Sequence, residues 1–168
     1  MRRPALKEKH GGALADLLSV RLWLRLLSCA MVIEKRLRRG FSRHHGTTLP
    51  RFDVMAALER HPEGLRMSDL SKELLVSNGN VTGLVQSLRQ DGLVELLPVA
   101  NDKRASLARL TDAGRGQFTA LSAAHHRWVD TMLRDMPARD RQALHDLLGR
   151  LKLSLANNPG PEGHDEPA

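Results

Sequence analysis

The sequence contains no tyrosine and only one cysteine, Cys29, and aromatic residues make up 3% of its 168 positions. A single cysteine excludes an intramolecular disulfide and a cysteine-based zinc finger. With so few aromatic residues, the core must consist mainly of leucine, valine, isoleucine and methionine. No segment approaches the roughly 18 uncharged apolar residues that a membrane-spanning helix requires, and the N-terminus lacks the apolar core and cleavage site of a signal peptide. These absences predict a soluble, cytoplasmic protein that does not associate with membranes.

Positive charge is concentrated in the N-terminal third of the chain. The formal net charge is +7 at pH 7. Positions 1–60 hold 13 Lys and Arg residues against 5 Asp and Glu residues, whereas positions 61–115 hold seven of each kind. A basic surplus favours a polyanionic partner such as a nucleic acid, although basic composition is not specific to that class.

Apolar residues at helical spacing predict a long helix from about Leu14 to Phe41, with Gly40 as its first breaker. So small a chain offers such a helix little surface on which to bury its apolar stripe. We therefore expect the helix to form half of a subunit interface. The stripe consists of Leu14, Leu18, Leu22, Leu26, Cys29, Ile33 and Leu37.

The middle of the chain predicts a winged helix-turn-helix. A helix opens at Pro50, where the missing amide costs nothing. A short helix capped by Ser68 follows, and then a second helix that Ser77 caps and Gly92 ends. Two extended runs at 93–97 and 106–110, joined by a polar turn at 101–104, form a two-stranded ribbon. The residues of the short helix expected to face inward are Leu70, Leu74 and Leu75.

The second helix of this motif is predicted to read DNA. Its apolar residues face one way, and the opposite face carries amides, hydroxyls and glycines but no acid. Asn and Gln pair with adenine in the major groove, and Thr contacts a thymine methyl or a phosphate. An ordinary solvent-exposed face, the alternative interpretation, is usually rich in Glu and Lys. The predicted DNA-binding residues here are Ser77, Asn78, Asn80, Thr82, Gly83, Gln86 and Ser87.

The polar turn of the ribbon is predicted to make a second DNA contact. Lys103 and Arg104 lie at its tip, and a narrow minor groove attracts arginine. Asp102 can hold the Arg104 guanidinium or cap the turn. A solvated hairpin tip is the alternative for an isolated Asp-x-Arg, but the position directly after a helix-turn-helix favours DNA contact.

The segment from Leu49 to Leu110 resembles the MarR family of bacterial transcription regulators. It reads LPRFDVMAALERHPEGLRMSDLSKELLVSNGNVTGLVQSLRQDGLVELLPVANDKRASLARL. The resemblance implies a homodimer on a pseudopalindromic operator in double-stranded DNA, with half-sites about one helical turn apart. It also implies a repressor released by a small ligand or an oxidant, with Arg104 as the wing arginine and Asp102 as its partner. Lys103 stands where many members carry a second arginine, which should weaken phosphate contact modestly.

Together these features predict a mainly α fold: a winged helix-turn-helix with long N- and C-terminal dimerisation helices and a two-stranded β-wing. Thr111 caps the first of two C-terminal helices, and Pro137 separates it from the last one. The predicted organisation is an N-terminal dimerisation helix with its connecting loop (14–48), a DNA-binding lobe (49–111), C-terminal dimerisation helices (112–156) and a disordered tail (157–168).

Three segments are most similar to the family's regulators of aromatic-acid catabolism that respond to hydroxycinnamoyl-coenzyme A thioesters: LPRFDVMAAL, GLRMSDLS and VSNGNVTGLV. This similarity implies an aromatic acyl-CoA effector such as p-coumaroyl-CoA. Arginine recognises phosphates bidentately, so we expect basic side chains to hold the coenzyme A phosphates while the acyl group enters an apolar cleft. Complementing the helix dipole and contacting operator backbone are the alternative roles of these arginines. The expected effector-binding residues are Trp23, Arg36, Arg38, Arg39, Arg43, Phe52 and Met55.

Other classes of function find less support in the sequence. Cys29 lies on the apolar stripe, which predicts a buried core thiol rather than a redox sensor. The pairs His44-His45 and His125-His126 diverge on their helices and predict neither a metal site nor a cofactor. No phosphate-binding glycine loop, H-E-x-x-H or G-x-S-x-G motif indicates an enzyme. The alternatives that remain are a helical protein-interaction module and a MarR-type sensor of an oxidant or a free aromatic acid.

Overall fold

The computed structural model describes residues 18–99 and 102–158, without the side chains of Asn78 and residues 102–105. It confirms a mainly helical fold that contains a winged helix-turn-helix. Two compact units divide at Val129 and Asp130. The elements are α1 (Leu18–His45), α2 (Leu49–Glu59), β1 (Leu65–Arg66), α3 (Met67–Leu74), α4 (Asn78–Gln90), β2 (Val94–Val99), β3 (Asp102–Leu110), α5 (Asp112–Leu133) and α6 (Ala138–Asn157).

Helix α1 continues through Gly40, so the prediction that this glycine breaks the helix is wrong. A Cβ atom at Gly40 would lie 2.9 Å from Cζ3 of Trp128. The glycine therefore lets the indole of α5 pack directly against the α1 backbone. A mid-helix glycine costs about 1 kcal/mol relative to alanine, and here close packing offsets that cost. The predicted start of the helix, 14–17, lies outside the described residues.

Aromatic rings from α1, α2 and α5 pack together at the centre of the first unit. Phe41 is fully buried and stacks on Phe52, with ring centroids 4.8 Å apart. Trp128 meets Phe41 edge-on at 5.2 Å, and His125 stacks on Phe52 at 4.9 Å. Burial, with a smaller contribution from the neighbouring His126, lowers the pKa of His125. A neutral imidazole is thus favoured inside this aromatic cluster.

Helices α2, α3 and α4 surround the core of the DNA-binding lobe. Thr48 caps α2 by accepting the amide of Arg51 through its hydroxyl oxygen, and Pro50 lies in the first turn. The N-cap of α3 is Arg66, not Ser68 as predicted. The largest fully buried side chains of the three helices are Val54, Met55, Leu58, Leu70, Val81, Val85 and Leu88.

The ends of α4 follow two common capping patterns. Ser77 occupies the predicted N-cap position with extended backbone angles, although its side chain makes no capping hydrogen bond. At the other end the Leu93 amide donates to the Leu88 carbonyl at 2.9 Å, and Gly92 has a φ of 71°. This pattern is a Schellman motif. It turns the chain directly from α4 into β2.

The wing is a three-stranded antiparallel sheet in the order β1-β3-β2, rather than the predicted two-stranded ribbon. The short strand β1 adds Leu65 opposite Ala108. Strands β2 and β3 are also longer than predicted, so residues 102–104 belong to β3 and not to a turn. Two residues were too short a run to show the period-2 signal of a strand. The tip residues 100 and 101 lie outside the described part of the chain.

Apolar side chains of α1 and α6 are left uncovered in the single chain. Leu22, Trp23 and Met31 of α1 are exposed, as are Leu147 and Leu153 of α6. Cys29 is also exposed, so the prediction of a buried thiol is wrong for a single chain. No helix within the described ranges is both long and apolar enough to cross a membrane.

The C-terminal unit begins within α5 and contains α6. Pro137 is the N-cap of α6, as the predicted break at this proline requires. Helix α6 ends at Asn157, the first residue of the predicted disordered tail. The rest of that tail, from 159 to 168, lies outside the described residues.

Leu75 is the non-glycine residue with a positive φ in the described part of the chain, and it occupies the turn between α3 and α4. Its angles are φ 54° and ψ 39°, and its side chain is 91% exposed. The prediction that it faces inward is therefore wrong. The tight turn demands a left-handed backbone here, and this backbone directs the side chain into solvent. For leucine, the left-handed conformation is less favourable than the right-handed one by about 1–2 kcal/mol.

We expect Leu75→Gly to raise the free energy of unfolding by about 0.5–1 kcal/mol, because glycine adopts the left-handed region without strain. Urea unfolding followed by circular dichroism measures the change. Lys72→Gly, which places glycine at an exposed site with helical backbone, is the control and should lower the same quantity by about 1 kcal/mol. A loss of stability in Leu75→Gly would show that the leucine side chain contributes contacts that outweigh the strain.

Candidate nucleic-acid interface

Helix α4 presents a polar, sterically open face opposite its buried residues. Val81, Val85 and Leu88 are at most 1% exposed, while Asn80 and Gln86 are exposed. Thr82 and Gly83 are exposed as well, so the amphipathic pattern expected from the sequence is present. The side chain of Asn78, also predicted to bind DNA, lies outside the described atoms.

Gly79 and Gly83 have no packing partner among the residues that the structure describes. A Cβ atom built at either position meets no heavy atom within 4 Å. Each glycine nevertheless weakens the helix by roughly 1 kcal/mol relative to alanine. The two glycines leave a shallow surface on α4 that another molecule can approach closely.

Ser87, a predicted DNA-binding residue, is engaged inside the protein. Nη1 of Arg51 donates a hydrogen bond to Ser87 Oγ, and Nη2 donates to Oδ2 of Asp91. In the sequence, Arg51 simply follows Pro50 at the start of the predicted helix. No local pattern could indicate the contact, since the partners are 36 and 40 residues away.

The wing places its predicted DNA-binding residues at the far end of the sheet from α4. Asp102 pairs with Val99, and the register shifts between Pro98 and Val99. The side chains of Asp102, Lys103 and Arg104 lie outside the described atoms, so the predicted pairing of Asp102 with Arg104 stays a prediction. Nearer the base of the wing, Arg109 donates to Glu95 at 2.7 Å across the two strands.

The predicted effector-binding residues do not converge in a single chain. Phe52 and Met55 are buried in the core, where they pack among other side chains, whereas Trp23 is 56% exposed. Arg38 pairs with Glu34 of the preceding turn at 2.6 Å. The remaining predicted residues, which are exposed on the side of α1 away from the core, are Arg36, Arg39 and Arg43. Helical spacing alone could not place α1 relative to α2.

A cleft of about 380 Å³ lies between α1, α2 and the helix-turn-helix. Arg38, Pro50 and Leu84 line it, and all three also line an adjoining cleft that reaches Gly79 and Asn80 of α4. The combined groove therefore runs from α1 to the polar face of the reading helix. No local sequence pattern indicates this groove, because residues from four separate segments form it.

Asp53 lines the same cleft and was missed by sequence analysis. The pKa of its carboxyl is raised to about 6, mainly by burial. The positive charge of Arg38 lowers this pKa, and the negative charge of Glu34 raises it. No hydrogen-bond donor among the described residues reaches it. The sequence signal was weak, because an acid in the first half of an amphipathic helix ordinarily faces solvent.

An exposed helix that follows a tight turn and precedes an antiparallel wing defines the winged-helix class of DNA-binding proteins. The sequence model of the MarR family matches residues 45–105 of the chain. The transcriptional activatory protein BadR of Rhodopseudomonas palustris is 33% identical over 135 residues, which cover 78% of this chain and 77% of BadR.

Solved structures agree with this assignment. The crystal structure of a MarR family transcriptional regulator from Silicibacter pomeroyi is 39% identical, with a TM-score of 0.67 over 80% of this chain and 94% of that one. Sco3205, a MarR family regulator from Streptomyces coelicolor solved in complex with DNA, shares the fold at 23% identity. Its TM-score is 0.73 over 90% of this chain and 96% of that one.

The chain belongs to the MarR family of transcriptional regulators. MarR-family regulators bind DNA, act as dimers and are not enzymes. The alternative of a protein-interaction module is not favoured by these findings.

The buried carboxyl of Asp53 predicts a pH-dependent stability. Its folded-state pKa lies above the unfolded value of 3.8, so the folded chain binds the extra proton and loses stability as the pH rises through about 6. We expect Asp53→Asn to raise the melting temperature more at pH 7.5 than at pH 4.5. Differential scanning fluorimetry at both values measures this, with Asp130→Asn at an exposed site of α5 as the control. An equal shift at both pH values would contradict the assigned titration.

Proposed function

We propose that the protein is a homodimeric repressor that binds a pseudopalindromic operator through α4 and the wing and is released by a small effector. The observation that carries this proposal is the face of α4, which combines Gly79 and Gly83 with Asn80 and Gln86 and carries no acid. Such a surface fits a major groove, because small residues allow close approach and amides recognise base edges.

The proposed contacts divide into reading and positioning roles. Asn80 and Gln86 read base edges in the major groove, and Ser77 with the first amides of α4 holds phosphates. Lys103 and Arg104 of the wing enter the flanking minor groove. The fold shared with Sco3205, a MarR family regulator solved in complex with DNA, supports DNA binding by this lobe.

Dimerisation through α1 and the C-terminal helices accounts for the apolar residues that a single chain exposes. Leu18 and Leu22 of α1 are 79% and 58% exposed, and Leu153 and Leu155 of α6 are 67% and 64% exposed. Exposed apolar residues in such number mark protein interaction sites. Two copies of the chain would present two reading helices, as a pseudopalindromic operator requires.

We expect Gln86→Ala to weaken binding to the operator about tenfold and to leave binding to a random duplex unchanged, since a base contact carries sequence information.

Arg104→Gln should weaken binding to both duplexes and make the negative slope of log affinity against log salt concentration less steep by about one unit. Fluorescence anisotropy with DNA from upstream of the protein's own gene measures both effects.

Arg60→Gln is the matched control for the charge change, because Arg60 pairs with Glu73 and lies outside the proposed contacts. It should leave the salt slope close to the wild-type value. Absence of binding to any duplex at low salt would contradict DNA recognition by this surface.

The proposed effector is an aromatic acyl-CoA thioester. The similarity to the acyl-CoA-responsive regulators supports it, and so does the basic outer side of α1. Among the described residues, Arg36, Arg39 and Arg43 make no ion pair. Successive residues of a helix are about 100° apart, so Arg39 lies beside Arg38 around α1. In the proposed arrangement, the phosphates of the ligand lie on the outer side of α1 and its acyl group enters the cleft that Arg38 lines. Phe52 and Met55 are committed to the core.

We expect the triple substitution of Arg36, Arg39 and Arg43 by Ala to raise the concentration of p-coumaroyl-CoA needed for half-release of operator DNA by at least about tenfold, because several charge-assisted phosphate contacts are lost. Competition anisotropy measures the change, and release by the free acid serves as the comparison. Unchanged sensitivity to the thioester would contradict the proposal. A loss of DNA affinity with a lower salt slope would assign the three arginines to operator backbone instead.

Activation of transcription is a second candidate for the regulatory role. BadR, at 33% identity, is described as a transcriptional activatory protein, which favours activation as the alternative to repression. A reporter driven by the upstream region distinguishes the two: deleting the regulator raises expression under repression and lowers it under activation.

A further inference from the structure

Arg51 lies outside the proposed DNA-contacting set, yet it joins α2 to the C-terminal half of α4. Its side chain is only 16% exposed. The two terminal nitrogens of its guanidinium donate to two different acceptors on the reading helix, the hydroxyl of Ser87 and the carboxylate of Asp91. Asp91 is the C-cap of α4, and Ser87 lies one turn before it.

We propose that Arg51 is a positioning residue for DNA recognition, which fixes the rotation of α4 about its own axis and so determines where Gln86 points. The proposal rests on the function given above, in which Gln86 reads a base edge. It adds a residue that touches no DNA and yet governs which sequence is bound.

The bonds from Arg51 add direction to the apolar contact between α4 and the rest of the lobe. Val81, Val85 and Leu88 are buried against the lobe core, but apolar burial is non-directional and tolerates small rotations. A guanidinium is a rigid planar fork, and two bonds to acceptors one helical turn apart restrain both rotation and tilt. Reading a base requires a side chain held to within about 0.5 Å and 10–20°. Gln86 directly precedes the anchored Ser87, so it inherits that restraint.

The same geometry argues against a direct phosphate contact by Arg51. The Arg51 side chain is 16% exposed as a whole, and its two outer nitrogens are already bonded within the protein. The Asp91 carboxylate beside it carries negative charge that disfavours an approaching phosphate. Ser87, whose hydroxyl accepts from Arg51, acts with it rather than as an independent DNA contact.

The test compares Arg51→Gln with Arg60→Gln, at the C-cap of α2, since each removes one positive charge and one ion pair. Arg60 pairs with Glu73 of α3 and not with α4. Binding is measured on a duplex selected by the wild-type protein from a random pool and on a scrambled duplex. We expect Arg51→Gln to weaken binding to the selected duplex about tenfold, and to match Arg60→Gln on the scrambled duplex and in the salt slope.

A double-mutant cycle identifies the partner. Ser87→Ala alone should reproduce part of the loss on the selected duplex, and adding it to Arg51→Gln should change affinity less than about twofold, because coupled residues are not additive. Additive losses would overturn the proposal. So would a salt slope that falls by about one unit in Arg51→Gln but not in Arg60→Gln, which would show a phosphate contact.

Amide hydrogen exchange of the free protein tests the clamp without DNA. Arg51→Gln should speed exchange in residues 88–91, at the C-terminal end and C-cap of α4, while Arg60→Gln should not, at melting temperatures within a few degrees of the wild type. Equal exchange in the two variants would overturn the proposal whatever the DNA result. Failure of the wild type to select any duplex would instead contradict the proposed DNA recognition, so the two failures are distinguishable.

Discussion

Burial of α2 on most of its sides is the constraint on which the DNA-binding lobe depends. Helices α1, α3 and α4 and strand β3 all pack against it. Phe52 extends the aromatic cluster of α1 and α5, while Val54, Met55 and Leu58 fill the space below the helix-turn-helix. Because core packing is dense and sensitive to single methylene groups, a shift of α2 would displace the reading helix. The groove that contains Asp53 opens beside this same helix, which places a binding surface next to the element that positions α4.

The order of elements was predictable because each helix has its own local signal, such as the apolar spacing of Val81, Val85 and Leu88 or the glycine that ends α4. The predictions that failed were those in which a distant residue decides the outcome. Gly40 looked like a helix breaker, but the indole of Trp128 explains its presence. The sequence predicts Leu75 as a core residue, but the left-handed backbone of the turn directs its side chain into solvent. The bond from Arg51 to Ser87 and the burial of Asp53 depend on how helices are placed relative to each other, which periodicity does not encode.

The basic surplus of the chain and the side chains proposed to read DNA bases lie in different parts of the sequence. Arg89 is the one charged residue in α4, whereas the basic surplus lies in the first 60 residues of the sequence. Polar, uncharged contacts are only slightly affected by salt, while phosphate contacts depend on it steeply. In the proposed arrangement, the amides of α4 supply discrimination between sequences, and the lysines and arginines elsewhere supply attraction to any duplex. A polyanionic effector would compete with the second contribution without altering the first.

The composition of α4 also determines how recognition responds to heat. Gly79 and Gly83 each reduce helix propensity by about 1 kcal/mol, and Asn80 and Thr82 add smaller penalties. A free peptide of 13 residues with this composition would be unstructured in water, so the helix exists because it is docked on the lobe. Warming that loosens the docking would therefore abolish sequence discrimination while the positive charge of the chain, which needs no fold, continued to attract DNA. On heating, the protein would lose sequence-specific binding at a lower temperature than non-specific binding to DNA.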